Sequence, residues 1–135
     1  MRALRTDEYL YIRNLTPERS PTGDLPGPSW PPGDPTGGFG DIDGGPSKTL
    51  LWERRADYPV PARLAFSRRP AEELYWVTDD PDNLRNLAED PAFQETRRSL
   101  AQRLDQYLER TLDPRATGRG EFFDGVFERY PSVAG

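Results

Sequence analysis

The chain has 135 residues, 34% of them apolar, with 15 prolines and 12 glycines, which is one ordinary domain at most and a modest core. Its formal net charge is −5, from 23 acidic and 18 basic residues, which argues against generic binding to nucleic acid or to an anionic membrane, since both need a basic footprint. It contains neither cysteine nor histidine, and this excludes disulfides, thiolate metal sites, a cysteine nucleophile and the commonest general base.

The N-terminal stretch Met1–Glu8 has no apolar core, so no signal peptide is expected in it; if the complete protein is exported, its signal lies upstream, and the compartment is left open. Residues 3–14 read as a β-hairpin. Tyr9-Leu10-Tyr11-Ile12-Arg13 is aromatic and β-branched, and Thr6-Asp7-Glu8 supplies the turn, with Asp bonding its own backbone. Alternation places Tyr9, Tyr11 and Arg13 on one face and Leu10 and Ile12 on the other, as in a strand covered on both sides.

Residues 16–46 form a long Pro/Gly-rich loop. Prolines such as Pro21, Pro26 and Pro31 remove backbone donors, and glycines such as Gly23 and Gly37 relax the chain. Trp30 and Phe39 are the large anchors of this loop, and such aromatics mean docking somewhere. Pro46 is expected to open a short helix to about Arg55, with Leu50, Leu51 and Arg54 sharing a face; a strand over Thr49–Trp52 is the alternative. Pro59 and Pro61 close that region.

Glu73-Leu74-Tyr75-Trp76-Val77 reads as a further strand. Asp80-Pro81 is expected to cap a short helix carrying Leu84 and Leu87, and Asp90-Pro91 a longer one over about 91–112. In the longer helix Phe93, Leu100, Leu104, Tyr107, Leu108 and Thr111 recur at helical spacing, while Glu95, Arg98, Gln102, Asp105 and Glu109 suit solvent. Asp113-Pro114 ends it. The tail 113–135, with Phe122, Phe123, Val126, Phe127 and Tyr130, is too apolar to float free and is expected to pack on a neighbouring surface. The fold class that follows is α+β: a small antiparallel β-sheet, hairpin plus further strand, packed against a C-terminal amphipathic helix, with a long Pro/Gly-rich loop.

Two segments together resemble the C-terminal region of the sulfatase family, in the branch that includes heparan N-sulfatase. The first is Arg2-Ala3-Leu4-Arg5-Thr6-Asp7-Glu8-Tyr9-Leu10-Tyr11-Ile12-Arg13-Asn14, similar to the family's "R-x-(V/L)-R-T-x-x-(Y/W)-K-Y-I-x-N" strand pair. The second is Arg69-Pro70-Ala71-Glu72-Glu73-Leu74-Tyr75, followed by Asp79-Asp80-Pro81-Asp82-Asn83-Leu84-Arg85-Asn86-Leu87-Ala88. It is similar to "R-P-x-E-E-L-Y-D-L-x-x-D-P-x-E-x-x-N-L-A", with a terminal helix after it. Gly40–Lys48 also resembles a segment of some bacterial members. The chain departs from the pattern at Leu10, where lysine is commoner, and at Trp76, where aspartate is commoner. The resemblance covers residues 1–112 and implies a sulfatase C-terminal subdomain there: a small antiparallel sheet with a helix on it, set against a large α/β domain, with Leu74 and Tyr75 filling the sheet-to-helix interface.

The family's chemistry uses a formylglycine made within "C/S-x-P-x-R" and a divalent cation, normally Ca²⁺. Here Ser29-Trp30-Pro31 starts like the serine form, but Gly33 stands where arginine is required. No catalytic residue is therefore assigned, and neither a metal site nor a cofactor is expected in this chain. The formylglycine and Ca²⁺ belong to the N-terminal part that the resemblance implies, and this chain alone is expected to be inactive. Asp41 and Asp43 form the one tempting carboxylate pair for Ca²⁺, but their spacing fits no EF-hand, and a turn beside Gly44 and Gly45 accounts for them. The basic doublets Arg54-Arg55 and Arg68-Arg69 suit sulfate-like anions, and the candidate substrate contacts are Arg54, Arg68 and Arg69, together with Trp30; neighbouring Glu53, Asp57, Glu72 and Glu73 can neutralise the arginines. The expected role is a non-catalytic C-terminal portion of a sulfatase, supporting the catalytic domain and walling its cleft, with that domain as partner in cis or as a separate chain. The alternatives are a free-standing module for sulfated or acidic carbohydrate and a degenerate gene remnant.

Overall fold

The computed structural model describes residues 1–23 and 38–120. These divide into two units: residues 1–15 with 71–120, and residues 16–23 with 38–70.

The first unit is an α+β layer pair. Strands β1 (Arg2–Arg5), β2 (Tyr9–Arg13) and β3 (Glu72–Trp76) form an antiparallel sheet in the order β1-β2-β3. Leu4 lies opposite Tyr11, and Tyr11 opposite Leu74, so these three side chains share one face. The hairpin turn is closed by Thr6 rather than Asp7: the Thr6 amide donates to the Tyr9 carbonyl at 2.8 Å, and the Tyr9 amide donates to Thr6 Oγ1 at 2.9 Å. A threonine hydroxyl satisfies the donor that an aspartate was expected to satisfy.

Helix α3 (Gln94–Arg110) packs on that face. A 3₁₀ turn, Pro91–Phe93, precedes it, capped by Asp90, whose carboxylate accepts from the Ala92 amide at 3.0 Å. Leu100, Leu104 and Leu108 are buried, spaced by four, and close a core with Tyr11, Leu74, Leu87 and Ala88. Tyr107 departs from the expected apolar stripe and is 53% exposed. Asp105 departs the other way: it is half-buried and pairs with Arg13 of β2. The contact stripe is centred on 100, 104 and 108 and widens on one side to Ala101 and Asp105, which brings Asp105 to the sheet and leaves Tyr107, on the other side, in solvent. Of the two residues expected at the sheet-to-helix interface, Leu74 is there and fully buried. Tyr75 is also buried, but alternation along β3 turns it to the opposite face with its neighbour Leu10.

No helix forms after Asp80. Its carboxylate does cap, accepting from the amides of Leu84 (3.1 Å) and Arg85 (2.8 Å), but Asn83 takes a left-handed conformation with φ 54°, which ends helical winding. The chain then runs beside β3. Asn86 Oδ1 accepts from the amides of Leu74 (2.9 Å) and Ala88 (3.0 Å), and the Leu87 amide donates to the Leu74 carbonyl at 2.7 Å. The N-L-A triplet thus occupies the open edge of β3, drawing Leu87 into the core while Leu84 stays exposed.

The second unit holds α1 (Pro46–Glu53) and α2 (Pro59–Phe66). Helix α1 is the helical alternative of the two weighed for this stretch. Its buried residue is Lys48, whereas Leu50 is 45% exposed, so the Leu50–Leu51–Arg54 face is not the one that packs. Helix α2 was not foreseen. Pro59 and Pro61 begin a helix instead of closing the region, because the first turn has no intrahelical acceptor for their missing amides. The expected docking of Phe39 is seen: its side chain is buried. Trp30 and the aromatic residues of 121–135 lie outside the described residues.

Candidate functional site: an arginine–aromatic cleft

Three rings form the centre of the second unit. Phe39 and Phe66 lie 4.8 Å apart, Phe39 and Trp52 5.3 Å, and Trp52 and Phe66 5.5 Å between centroids. Edge-to-face and tilted pairs of this kind match positive ring edges to negative faces. Phe39 reaches this position with φ 54°, a strained conformation for a bulky residue. Such strain persists where the surroundings over-determine it. Here the determinant is Lys48, the single lysine of the chain. Its buried ammonium donates to the carbonyls of Gly38 (3.1 Å), Phe39 (3.2 Å) and Ile42 (3.1 Å). Carbonyl dipoles thereby replace the water that a buried ammonium loses. Asp41 and Asp43 lie exposed on this turn, and it is the lysine, rather than their carboxylates, that ties it down. Gly23, with φ 91°, backs onto the same turn: a Cβ there would stand 3.1 Å from the Gly40 nitrogen.

Beside the rings lies an open cleft of about 380 Å³, lined by Phe39, Trp52, Phe66, Ala62, Arg55 and Arg63 among others. Arg55 is set by α1: its guanidinium lies 4.8 Å from the Trp52 ring centroid, and its Nη1 donates to the Trp52 carbonyl at 2.7 Å. Arg63 comes from α2, one residue after the buried Ala62. None of the ion pairs among the described residues engages Arg55 or Arg63.

The sequence-derived candidates fall differently. Arg54 is exposed and neutralised by Asp57 at 2.8 Å, with its guanidinium 6.0 Å from the Tyr58 ring centroid. Arg69 donates to the Leu64 carbonyl at 2.8 Å, tying down the chain after α2, and Arg68 is exposed. None of the three lines the cleft. Arg55 enters the sequence reading only as half of the Arg54-Arg55 doublet, and Trp52, Arg63 and Phe66 do not enter it as site residues. Their one sequence signal is a pair of rings, Trp52 and Phe66, bracketing three arginines, with no acid between Tyr58 and Phe66.

The sheet unit carries a second polar cluster. Glu72 accepts from Tyr11 Oη and from Arg97, and Arg13 donates to Tyr11 Oη at 3.2 Å and to Asp105. Burial, and then the bond to Glu72, push the Tyr11 phenol up to about 12. It therefore stays protonated at neutral pH, and the cluster joins β2, β3 and α3 through side-chain hydrogen bonds, with the buried Arg97 Nε left without a partner among the described residues. Among the described residues no group of acids is placed to hold a metal ion, and no helix is long and apolar enough to cross a membrane.

Comparison with protein-family models, curated proteins and solved structures found no match to this chain.

Proposed function

We propose that this chain is the C-terminal, non-catalytic portion of a sulfatase, acting on a sulfate ester or sulfamate only together with a catalytic domain. One observation carries the reading. The two segments that resemble the family, separated by more than fifty residues, are hydrogen-bonded neighbours. The strand of Arg69–Tyr75 lies antiparallel beside the hairpin of Arg2–Asn14, from Tyr9 opposite Trp76 to Arg13 opposite Glu72. The Asn14 amide extends the match by donating to the Ala71 carbonyl at 2.8 Å. The distinctive letters of both motifs also have structural work to do here. Thr6 closes the turn, Glu72 gathers Tyr11 and Arg97, Asp80 caps, and Asn86-Leu87-Ala88 covers the sheet edge. A chain with no histidine and no complete "C/S-x-P-x-R" segment supplies no imidazole and no aldehyde nucleophile, so its part in this reading is scaffold.

The test begins with the gene. A reading frame encoding "C/S-x-P-x-R" is expected immediately upstream, and its product, co-expressed with this chain, is expected to co-purify and to release inorganic sulfate from 4-nitrocatechol sulfate or N-sulfoglucosamine. An upstream region without that motif overturns the reading. So does sulfate release by the purified 135-residue chain alone.

A further inference from the structure

We infer that the cleft between α1 and α2 is a binding site for a ring-bearing organic oxyanion, a flat or apolar-faced ring carrying a sulfate, phosphate or carboxylate group. At about 380 Å³ the cleft has room for one such ring; small-molecule sites span roughly 300–1,000 Å³. Its wall is aromatic: the part-exposed rings of Trp52 and Phe66 offer apolar surface to a ligand ring, with Phe39 buried behind them. Its charge is positive: Arg55 and Arg63 both line it, and among the described residues no ion pair engages either of them, Asp57 being taken by Arg54. The forked donors of the two guanidiniums match oxyanions in geometry as well as in sign.

The arrangement is also held in advance of any ligand. Arg55 is fixed from two sides, by its bond to the Trp52 carbonyl and by the indole beneath it. Phe39 is kept in its left-handed conformation by the Lys48 ammonium. Preorganisation of this kind lowers the entropic cost of binding. The inference uses only residues 38–70 and stands apart from the sulfatase reading, so the failure of either leaves the other in place.

The experiment is a titration of the ¹⁵N-labelled full chain, followed by NMR, with 4-nitrophenyl sulfate, 4-nitrophenyl phosphate and 4-nitrobenzoate in turn. Inorganic sulfate serves as an anion without a ring, and benzyl alcohol as a ring without an anion. Saturable shifts are expected at the Trp52 indole N–H and at the amides of Phe66 and Ser67. The order of affinities among the three oxyanions identifies the group the site takes. Arg55→Gln and Arg63→Gln, both at exposed positions, are each expected to weaken binding about tenfold or more while leaving the rest of the spectrum in place. Three results overturn the inference: no saturable shift at Trp52 with any of the three, equal affinity in both variants, or inorganic sulfate binding as tightly as the ring-bearing anions.

Discussion

In the sheet unit the buried centre is leucine at helical spacing, Leu100, Leu104 and Leu108 closing on Tyr11 and Leu74. In the unit of α1 and α2 it is Phe39, Ala62 and Lys48, with the half-buried rings of Trp52 and Phe66 packed on Phe39. The first arrangement spreads burial over many aliphatic contacts between long elements. The second concentrates it on Phe39, which depends on a single ammonium to hold its backbone in place. A region built the first way should lose stability in proportion to the volume removed. A region built the second way should fail when one polar group is lost.

The largest effect is therefore expected from Leu104→Ala, at a position 2% exposed. A deletion of this kind costs about 2–5 kcal/mol, to be read from urea denaturation followed by circular dichroism. Lys48→Met comes next. It keeps the apolar stem but removes the ammonium that donates to the carbonyls of Gly38, Phe39 and Ile42, at about 1–3 kcal/mol. Hydrogen exchange should sharpen the contrast. The amides of Ile42 and Arg54, which donate to Phe39 and Leu50, are expected to exchange faster in Lys48→Met, while those of Leu100 to Leu108 keep their protection. Equal acceleration in both regions would show that they open as one unit, and the comparison would then be wrong.

The two regions also differ in how much of them could be read from the chain. Helix α3 was legible because apolar periodicity and an Asp-Pro start agree over seventeen residues. The hairpin and β3 were legible because alternation and β-branched composition agree. The small misreadings in that unit came from side chains competing for the same backbone donors. Asp80 caps amides as expected, yet no helix follows, because Asn83 turns left-handed and Asn86 pairs with Leu74. In the other unit, α2 was hidden by its own prolines, which read as breakers unless their place in the first turn is known. The cleft was hidden because Phe39, Trp52 and Phe66 have no common period, and only the tertiary fold brings them together. Arginine doublets draw attention to Arg54, Arg68 and Arg69, whereas what distinguishes Arg55 and Arg63 is that they line the cleft and that no ion pair among the described residues engages them, a property of three-dimensional neighbours.

The polar cluster of the sheet unit gives the third test. Tyr11→Phe removes a phenol that donates to Glu72 and accepts from Arg13, and is expected to cost about 1–2 kcal/mol at neutral pH. Its pH dependence has a definite sign. The folded-state phenol is raised to about 12, above the ordinary value of about 10. The folded chain therefore holds its proton more tightly, so the stabilisation is complete below pH ~10 and is lost as pH rises toward ~12. Wild type is expected to lose stability over that alkaline window faster than Tyr11→Phe. Parallel curves for the two proteins would show that Tyr11 has no share in the alkaline transition.

The smallest effect is expected at the end of α3, where the Arg2 Nε donates to Asp113 at 2.7 Å, joining β1 to the residue that stops the helix. Asp113 also accepts from the amides of Arg115 (3.0 Å) and Ala116 (3.2 Å). The bond from Arg2, ahead of the backbone donors, holds its carboxyl below the usual carboxylate range. Asp113→Asn keeps Oδ1 for both amides and replaces Oδ2, which accepts from Arg2, with an NH₂ donor, so the variant breaks the ion pair and its hydrogen bond while sparing the amide contacts. For a partly exposed pair the loss at neutral pH is expected to be under about 1 kcal/mol. A carboxyl whose folded value is depressed stabilises above its ordinary value, near pH 4, and that contribution fades as pH falls through the folded value. The difference in melting temperature between wild type and Asp113→Asn should therefore be present at pH 7, shrink below pH ~4, and diminish with added salt. A difference that persists unchanged in strong acid would mean that the carboxylate acts through the backbone amides it accepts and not through Arg2. The end of α3 would then be held as Phe39 is held, by polar groups satisfying the main chain, and the contrast between the two regions would narrow to their apolar centres.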